Sequence, residues 1–364
     1  MHKRTVIVGT YSLLHAVVDM GCALLLAEIA KAAGADLRLS FLAVVAYDII
    51  AFALQLPFGY LADKLNKNAL VSAFGCILVA IGLLCSAAPY FAVTVAGIGN
   101  AFFHIGGGIE VLNISEGKAT LPGVYVATGA MGLYLGTRGS VWSLTVTWMC
   151  AVLLAGALLL LWLYKKAKRD YRINNEPCSL KPHPENVSSP VMVIVLCLFL
   201  TICVRGGFGL VMKFPWNDSF GIGVVTVGVV VLGKALGGVI GDRLGWLRTS
   251  VTSLMVAAVL FAFADDFMVC GLLALFLFNI TMPITLAAMA ACFPNRKGMA
   301  FGITTFALVA GALPVFSEYR EWFADRTVLI AATVFSAGLL WIGLAVFAGF
   351  IKDVSGGVYE KNRG

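Results

Sequence analysis

Histidine and aspartate four residues apart sit in the middle of the chain's first apolar stretch, at His15 and Asp19. That spacing puts both side chains on one helix face. Such a pair can hold, share or release a proton near neutral pH. A second i,i+4 pair follows at Asn100 and His104, ahead of Gly106-Gly107-Gly108 and Glu110. Three glycines in a row weaken a helix and allow bending or close backbone approach to a ligand. Asp48 and Glu28 are further acids within apolar runs, whereas Arg205 and Lys234 are bases in comparable runs of the second half. Arg205 suits a carboxylate or phosphate, or a counter-ion role toward Asp19. Lys234 is expected to snorkel toward the nearer membrane edge. Ionisable groups at membrane depth are costly, so the expected substrate and proton-coupling set is His15, Asp19, Asp48, Asn100, His104, Glu110 and Arg205. Aromatic residues at Phe102, Phe103, Tyr125, Tyr134 and Phe208 supply either cavity wall or helix packing.

The elements that must carry these groups are apolar helices. Of 364 residues, 60% are hydrophobic and 12% charged, and a soluble chain of this size needs roughly twice that charge to cover its surface. Roughly twelve segments are long enough for a bilayer core of ~30 Å. They lie near 6–30, 40–62, 69–88, 91–113, 121–140, 145–164, 190–213, 220–241, 249–264, 266–290, 298–317 and 328–350. Met1-His-Lys-Arg4 leads straight into the first of them, so no cleaved leader is expected. Asp265-Asp266 makes a tight outer turn between the ninth and tenth. With the N-terminus inside, 18 of the 26 basic residues fall on inner segments, which places both termini in the cytoplasm of a cell whose plasma (inner) membrane the chain crosses. The net charge of +7 is therefore a topology signal and not a nucleic-acid footprint. The nine cysteines mostly lie in apolar runs without Cys-x-x-Cys spacing, so neither disulfide nor metal nor cofactor is expected. One long polar connection divides residues 1–164 from 190–364, with 165–189 as a cytoplasmic linker.

The two halves repeat one another. Gly59 and Gly238, Asp63 and Asp242, Lys64 and Arg243 are each 179 positions apart. The same offset pairs Asn100 with Asn279, Lys118 with Lys297, Gly123 with Gly302 and Gly132 with Gly311. Agreement at so many special positions points to an internal duplication, and duplicated apolar helix arrays are a plan of transporters.

Six plus six helices, a polar central loop and a repeated Gly-x-x-x-Asp-(Lys/Arg) resemble the major facilitator superfamily. Gly59, Leu61, Ala62, Asp63, Lys64 and Lys67 fit its signature loop, with Asn66 in place of the second glycine and Asn68 in place of the last base. The second copy keeps Gly238, Gly241, Asp242, Arg243 and Gly245. The resemblance implies an all-α integral membrane fold of about twelve helices in two pseudo-symmetric six-helix bundles. It also implies that Gly59, Asp63, Lys64, Gly238, Asp242 and Arg243 form a latch that breaks as the halves rock. Gly123, Gly132 and Gly136 resemble the glycine spacing of the superfamily's antiporter motif, with Thr137 at its proline and Ser140-Val141 at its final glycines. The run from Gly99 to Glu110 resembles an element of fosmidomycin-resistance-type members, with Ile105 where a proline often follows the histidine. The expectation is thus a proton-coupled secondary transporter exporting a small organic molecule, monomeric in the bilayer. The alternatives are uptake of a small anionic metabolite, coupling to another ion, or a non-transporting receptor. No His-x-x-x-His, Gly-x-Ser-x-Gly or phosphate loop supports a membrane enzyme.

Overall fold

In a computed structural model, residues 2–34, 36–139, 145–170, 189–217 and 219–361 are described, and they are helical almost throughout. The first half comprises α1 (His2–Ala33), α2 (Leu37–Asp48), α3 (Gln55–Leu65), α4 (Asn68–Leu84), α5 (Pro89–Ile114), α6 (Thr120–Thr137) and α7 (Val146–Asp170). The second half comprises α8 (Ser189–Val211), α9 (Phe220–Leu244), α10 (Trp246–Phe261), α11 (Met268–Asn279), α12 (Thr281–Cys292), α13 (Lys297–Ala312), α14 (Arg320–Ala324) and α15 (Arg326–Lys361). A π-helical turn over Ile49–Ala53 joins α2 and α3 into one span, and α11 with α12 forms another, so twelve spans result. Among the described residues nine helical stretches are long and apolar enough to cross a membrane. Helices α4 and α10 are apolar but shorter, at 17 and 16 residues.

Two segments are more helical than their composition suggests. Of the expected polar linker 165–189, residues 165–170 continue α7. Lys165, Lys166, Lys168 and Arg169 are good helix formers, and cations at a helix C-terminus are favoured by its dipole. Residues 171–188 lie outside the described residues, as do Ser140, Val141 and Cys178. The triple glycine does not bend its helix either, for α5 runs unbroken from Pro89 to Ile114. Instead each glycine admits a different neighbour: Gly106 meets Ser72 of α4, Gly107 the Tyr125 ring of α6, and Gly108 the Phe301 ring of α13. Three-sided packing of one helix demands small residues on three faces.

The duplication is realised in backbone geometry. At the end of α3, Asn66 adopts a left-handed φ of 48°, and the residue 179 positions on, Gly245, has φ of 94° at the end of α9. The signature loop needs a left-handed residue there, which glycine supplies freely and asparagine tolerates. Helix α8 likewise repeats α1: the Ala16 carbonyl abuts Gly132 as the Cys203 carbonyl abuts Gly311. In that register Arg205 falls within one residue of the position of Asp19, so the two charged groups occupy matching depths in matching helices.

Candidate functional site

The signature aspartates and glycines make two equivalent contacts between the halves where α3 and α9 terminate. The carboxylate of Asp63 accepts the backbone N–H groups of Gly298 and Met299 at 2.8 and 2.9 Å. The carboxylate of Asp242 accepts those of Ala119 and Thr120 at 3.0 and 2.9 Å, and the Thr120 hydroxyl as well. Residues 298 and 299 are the 179-offset partners of 119 and 120, so one contact is the symmetry copy of the other. Each aspartate thus caps the opposite half's helix, α13 or α6, where unpaired N–H groups and the helix dipole both attract an anion. Close approach requires glycine: a Cβ at Gly59 would overlap the Gly298 backbone, and one at Gly238 the Ala119 backbone. The bases do not join in. Lys64 lies over the Tyr60 ring at 4.2 Å, and Arg243 is exposed at the helix end. Lys297 ties the same seam by donating to the Leu112 carbonyl at 3.3 Å.

At mid-depth the structure brings His15, Asp19, Asn100 and His104 together. His15 Nε2 lies 3.3 Å from Asp19 Oδ2, and His104 Nε2 lies 3.5 Å from Asp19 Oδ1. Asn100 Nδ2 donates to Asp19 Oδ1 at 3.1 Å. On the far side of each ring, His15 Nδ1 meets the Tyr125 carbonyl at 2.7 Å and His104 Nδ1 the Asn100 carbonyl at 2.9 Å. The Tyr125 hydroxyl donates to the His104 carbonyl at 3.3 Å, so one residue of α6 braces both histidines. The rings stand edge to face with centroids 4.4 Å apart. Both histidine side chains are 6% exposed and the Asp19 side chain 16%, so the carboxylate is the cluster's outlet. Gly129 makes the room, since a Cβ there would strike Asp19 Oδ2 and His15 Nε2.

These contacts fix where protons sit. A carbonyl oxygen only accepts, so each Nδ1 carries hydrogen, and a neutral ring then has a lone pair on Nε2. Both lone pairs point at a carboxylate, which repels them. A proton held on an Nε2 or on Asp19 relieves that repulsion. The ligating atoms of the three residues lie within 4.8 Å of one another, a spacing that a metal ion also fits. Cysteine spacing could not disclose this group.

The other expected members lie apart. Glu110 is buried and accepts from Asn68 Nδ2 at 3.1 Å, in a pocket closer to the latch. Asp48 is half-buried at the end of α2, immediately before the π-helical turn. Arg205 is buried, and its Nη1 and Nη2 each lie 3.4 Å from Thr285 Oγ1. The expectation of an Arg205–Asp19 counter-ion pair is corrected here: the described residues hold no such pair, because Asp19 is already engaged by two histidines and an asparagine. The snorkelling expectation for Lys234 is corrected too. Lys234 is half-buried at the centre of α9 and sits in the electrostatic field of both Arg205 and Asp19, so it faces the interior between the halves. The α6 glycines have packing work, Gly132 and Gly136 against Ala16 and Met20 of α1, and Gly123 against the Lys234 carbonyl of α9.

The Major Facilitator Superfamily model matches residues 10–315. No curated protein matches the chain. Among solved structures, the chain is similar to the human organic anion transporter MFSD10 (TETRAN), with 16% identity, TM-score 0.65 and coverage of 95% of this chain and 99% of that one. It is similar to the E. coli fucose:proton symporter FucP at 12% identity and TM-score 0.64, covering 95% and 98%. A bacterial homologue of the iron transporter ferroportin, in an outward-facing state, gives 12% identity and TM-score 0.62 over 95% and 99%. At such identities the likeness is one of fold.

Proposed function

We propose, from the premise that the chain belongs to the Major Facilitator Superfamily, that it is a proton-coupled secondary transporter of a small organic molecule working by alternating access. The moving bodies are residues 1–164 and 190–364, joined by 165–189. Both termini and the double latch lie on the cytoplasmic side of the cell's plasma (inner) membrane, and one chain suffices as the working unit. Asp63 and Asp242 hold the cytoplasmic seam shut and release it as the halves rock.

The observation that carries proton coupling is the pair of histidines around Asp19, each tied to a backbone carbonyl at Nδ1 with its Nε2 facing the carboxylate. The groups facing this carboxylate are His15 and Cys22 on its own helix, Asn100 and His104 from α5, Tyr47 from α2, Tyr125 from α6 and Lys234 from α9. Lys234 favours a proton over a divalent metal there, because repulsion scales with the ion's charge. A ligand shifts a two-state protein only by its differential affinity for the states, so the proton must bind this cluster unequally in the two orientations. Export was expected from the fosmidomycin-resistance-like element of α5 and from the α6 glycines; those glycines pack against α1 and α9, so they add no support for antiport.

The test uses proteoliposomes with an imposed pH gradient and a panel of labelled small molecules. The wild type accumulates its substrate only with the gradient. Asp19→Asn loses accumulation yet keeps gradient-independent exchange. Accumulation by Asp19→Asn at the wild-type level overturns the assignment, and accumulation driven by a zinc or manganese gradient in place of protons transfers it to a metal.

A further inference from the structure

We infer that the second half carries a binding site for a small oxyanion, a carboxylate or phosphate group of the transported molecule, made by Arg205 and Lys234 and oriented by Thr285. The inference rests on the transporter reading above and names the substrate class.

Arg205 is 9% exposed, and its Nε, itself buried, has no partner. Its only bonds go to a neutral hydroxyl. The Thr285 hydroxyl spends its hydrogen on the Met282 carbonyl at 2.9 Å and so presents lone pairs to both Nη atoms of Arg205. That leaves the Nε edge of the guanidinium as a free pair of parallel donors, the geometry that takes two oxygens of a carboxylate or phosphate. Lys234 adds a second positive charge from α9: its backbone and Pro283, two residues before Thr285 on α12, both border Gly123, and its charge acts on Arg205. Neither base has a carboxylate partner among the described residues. Asp265 is bound to Arg326 at the far end, Glu110 to Asn68, and Asp19 to its histidines. A buried guanidinium at membrane depth, with a second base in its field and no carboxylate of its own, is costly to keep. A protein keeps it when the missing anion is the ligand.

The position fits. Arg205 matches Asp19 in depth across the pseudo-symmetry, and Lys234 feels both. An anion on Arg205 therefore draws Lys234 away from Asp19, and the weakened field of Lys234 lets the cluster take a proton more readily. Anion and proton then bind together and move in one direction.

The experiment is equilibrium thermal-shift binding on purified full-length protein, with succinate, lactate and inorganic phosphate as probes and succinamide as the uncharged control. At least one oxyanion raises the melting temperature of the wild type while succinamide does not. Arg205→Gln binds that probe at least about tenfold more weakly, Lys234→Met weakens it by a smaller factor, and Arg205→Lys recovers part of the loss. Because the empty site strains the protein, ligand-free Arg205→Gln melts at or above the wild-type temperature. The inference fails if none of the oxyanions shifts the wild type, if succinamide shifts it equally, or if Arg205→Gln retains wild-type affinity. It also fails if ligand-free Arg205→Gln melts well below the wild type, as loss of a structural bond would produce. Binding needs no gradient, so oxyanion binding by a protein that shows no proton-driven accumulation would sink the coupling reading and leave this one standing.

Discussion

The polar interiors of the two halves differ in sign and in completeness. In the first, Asp19 is surrounded by His15, His104 and Asn100, with Tyr125 holding both rings from behind. In the second, Arg205 meets only the Thr285 hydroxyl, its Nε is unpaired, and Lys234 adds a like charge. The halves share their signature contacts and a positive φ at Asn66 and Gly245, though α2 and α3 are joined by a π-helical turn where α9 is continuous. They have diverged where chemistry would occur. A duplicated scaffold thus carries a carboxylate held by two histidines at one of two matching places and an unpartnered guanidinium at the other. At the latch the opposite holds, for Asp63 and Asp242 make the same contact in both copies.

The sharpest way to break the comparison is to remove the charge from each centre in turn. Asp19→Asn abolishes gradient-driven accumulation while leaving ligand binding. Arg205→Gln weakens binding at least about tenfold and leaves the Asp19 cluster's response to pH intact, as histidine chemical shifts across a pH titration would record. Similar defects in both variants would mean that the two centres are one.

Next in size is the test of the shared latch. Gly59→Val and Gly238→Val each drive a side chain into the opposing backbone, at Gly298 and Ala119. Both should hold the seam open, raising the reaction of a cysteine introduced at Leu112 with a membrane-impermeant thiol reagent in a background without native cysteines. An effect confined to one copy would contradict the equivalence. Asp63→Asn and Asp242→Asn remove only the charge from a helix cap. About 1 kcal/mol is expected from each, roughly a fivefold shift toward the open seam by the same readout.

The smallest effect lies at the surface. The Arg4 guanidinium, hydrogen-bonded to Glu116, holds that exposed carboxyl below its usual value of 4.5. A depressed acid contributes stability above its unfolded pKa and loses it as pH falls through the folded value. Wild type and Glu116→Gln should therefore differ slightly in melting temperature at pH 6 and converge below pH 4.5. A gap that widens on acidification would contradict the pairing.

Much of this was legible in the sequence. Apolar runs marked the spans, and the 179-residue offset tied Asp63 to Asp242 before any contact was known. The i,i+4 spacing of His15 with Asp19 and of Asn100 with His104 put each pair on one face, because helical period is local information. That His104 would reach Asp19 was not legible, since it depends on how α1 and α5 cross and on Gly129 leaving space between them. Lys234 misled for the same reason: depth along a helix can be counted, but the direction a residue faces is set by neighbouring helices. Thr285 carried no signal at all, as one hydroxyl among many in apolar helices.

The most direct test loads proteoliposomes with a pH-sensitive dye and adds the bound oxyanion outside under symmetric pH. Cation and anion centres working as one cavity predict that the lumen acidifies as the anion enters, and that Asp19→Asn liposomes show no acidification. Anion entry with a lumen that stays neutral or turns alkaline would contradict the account.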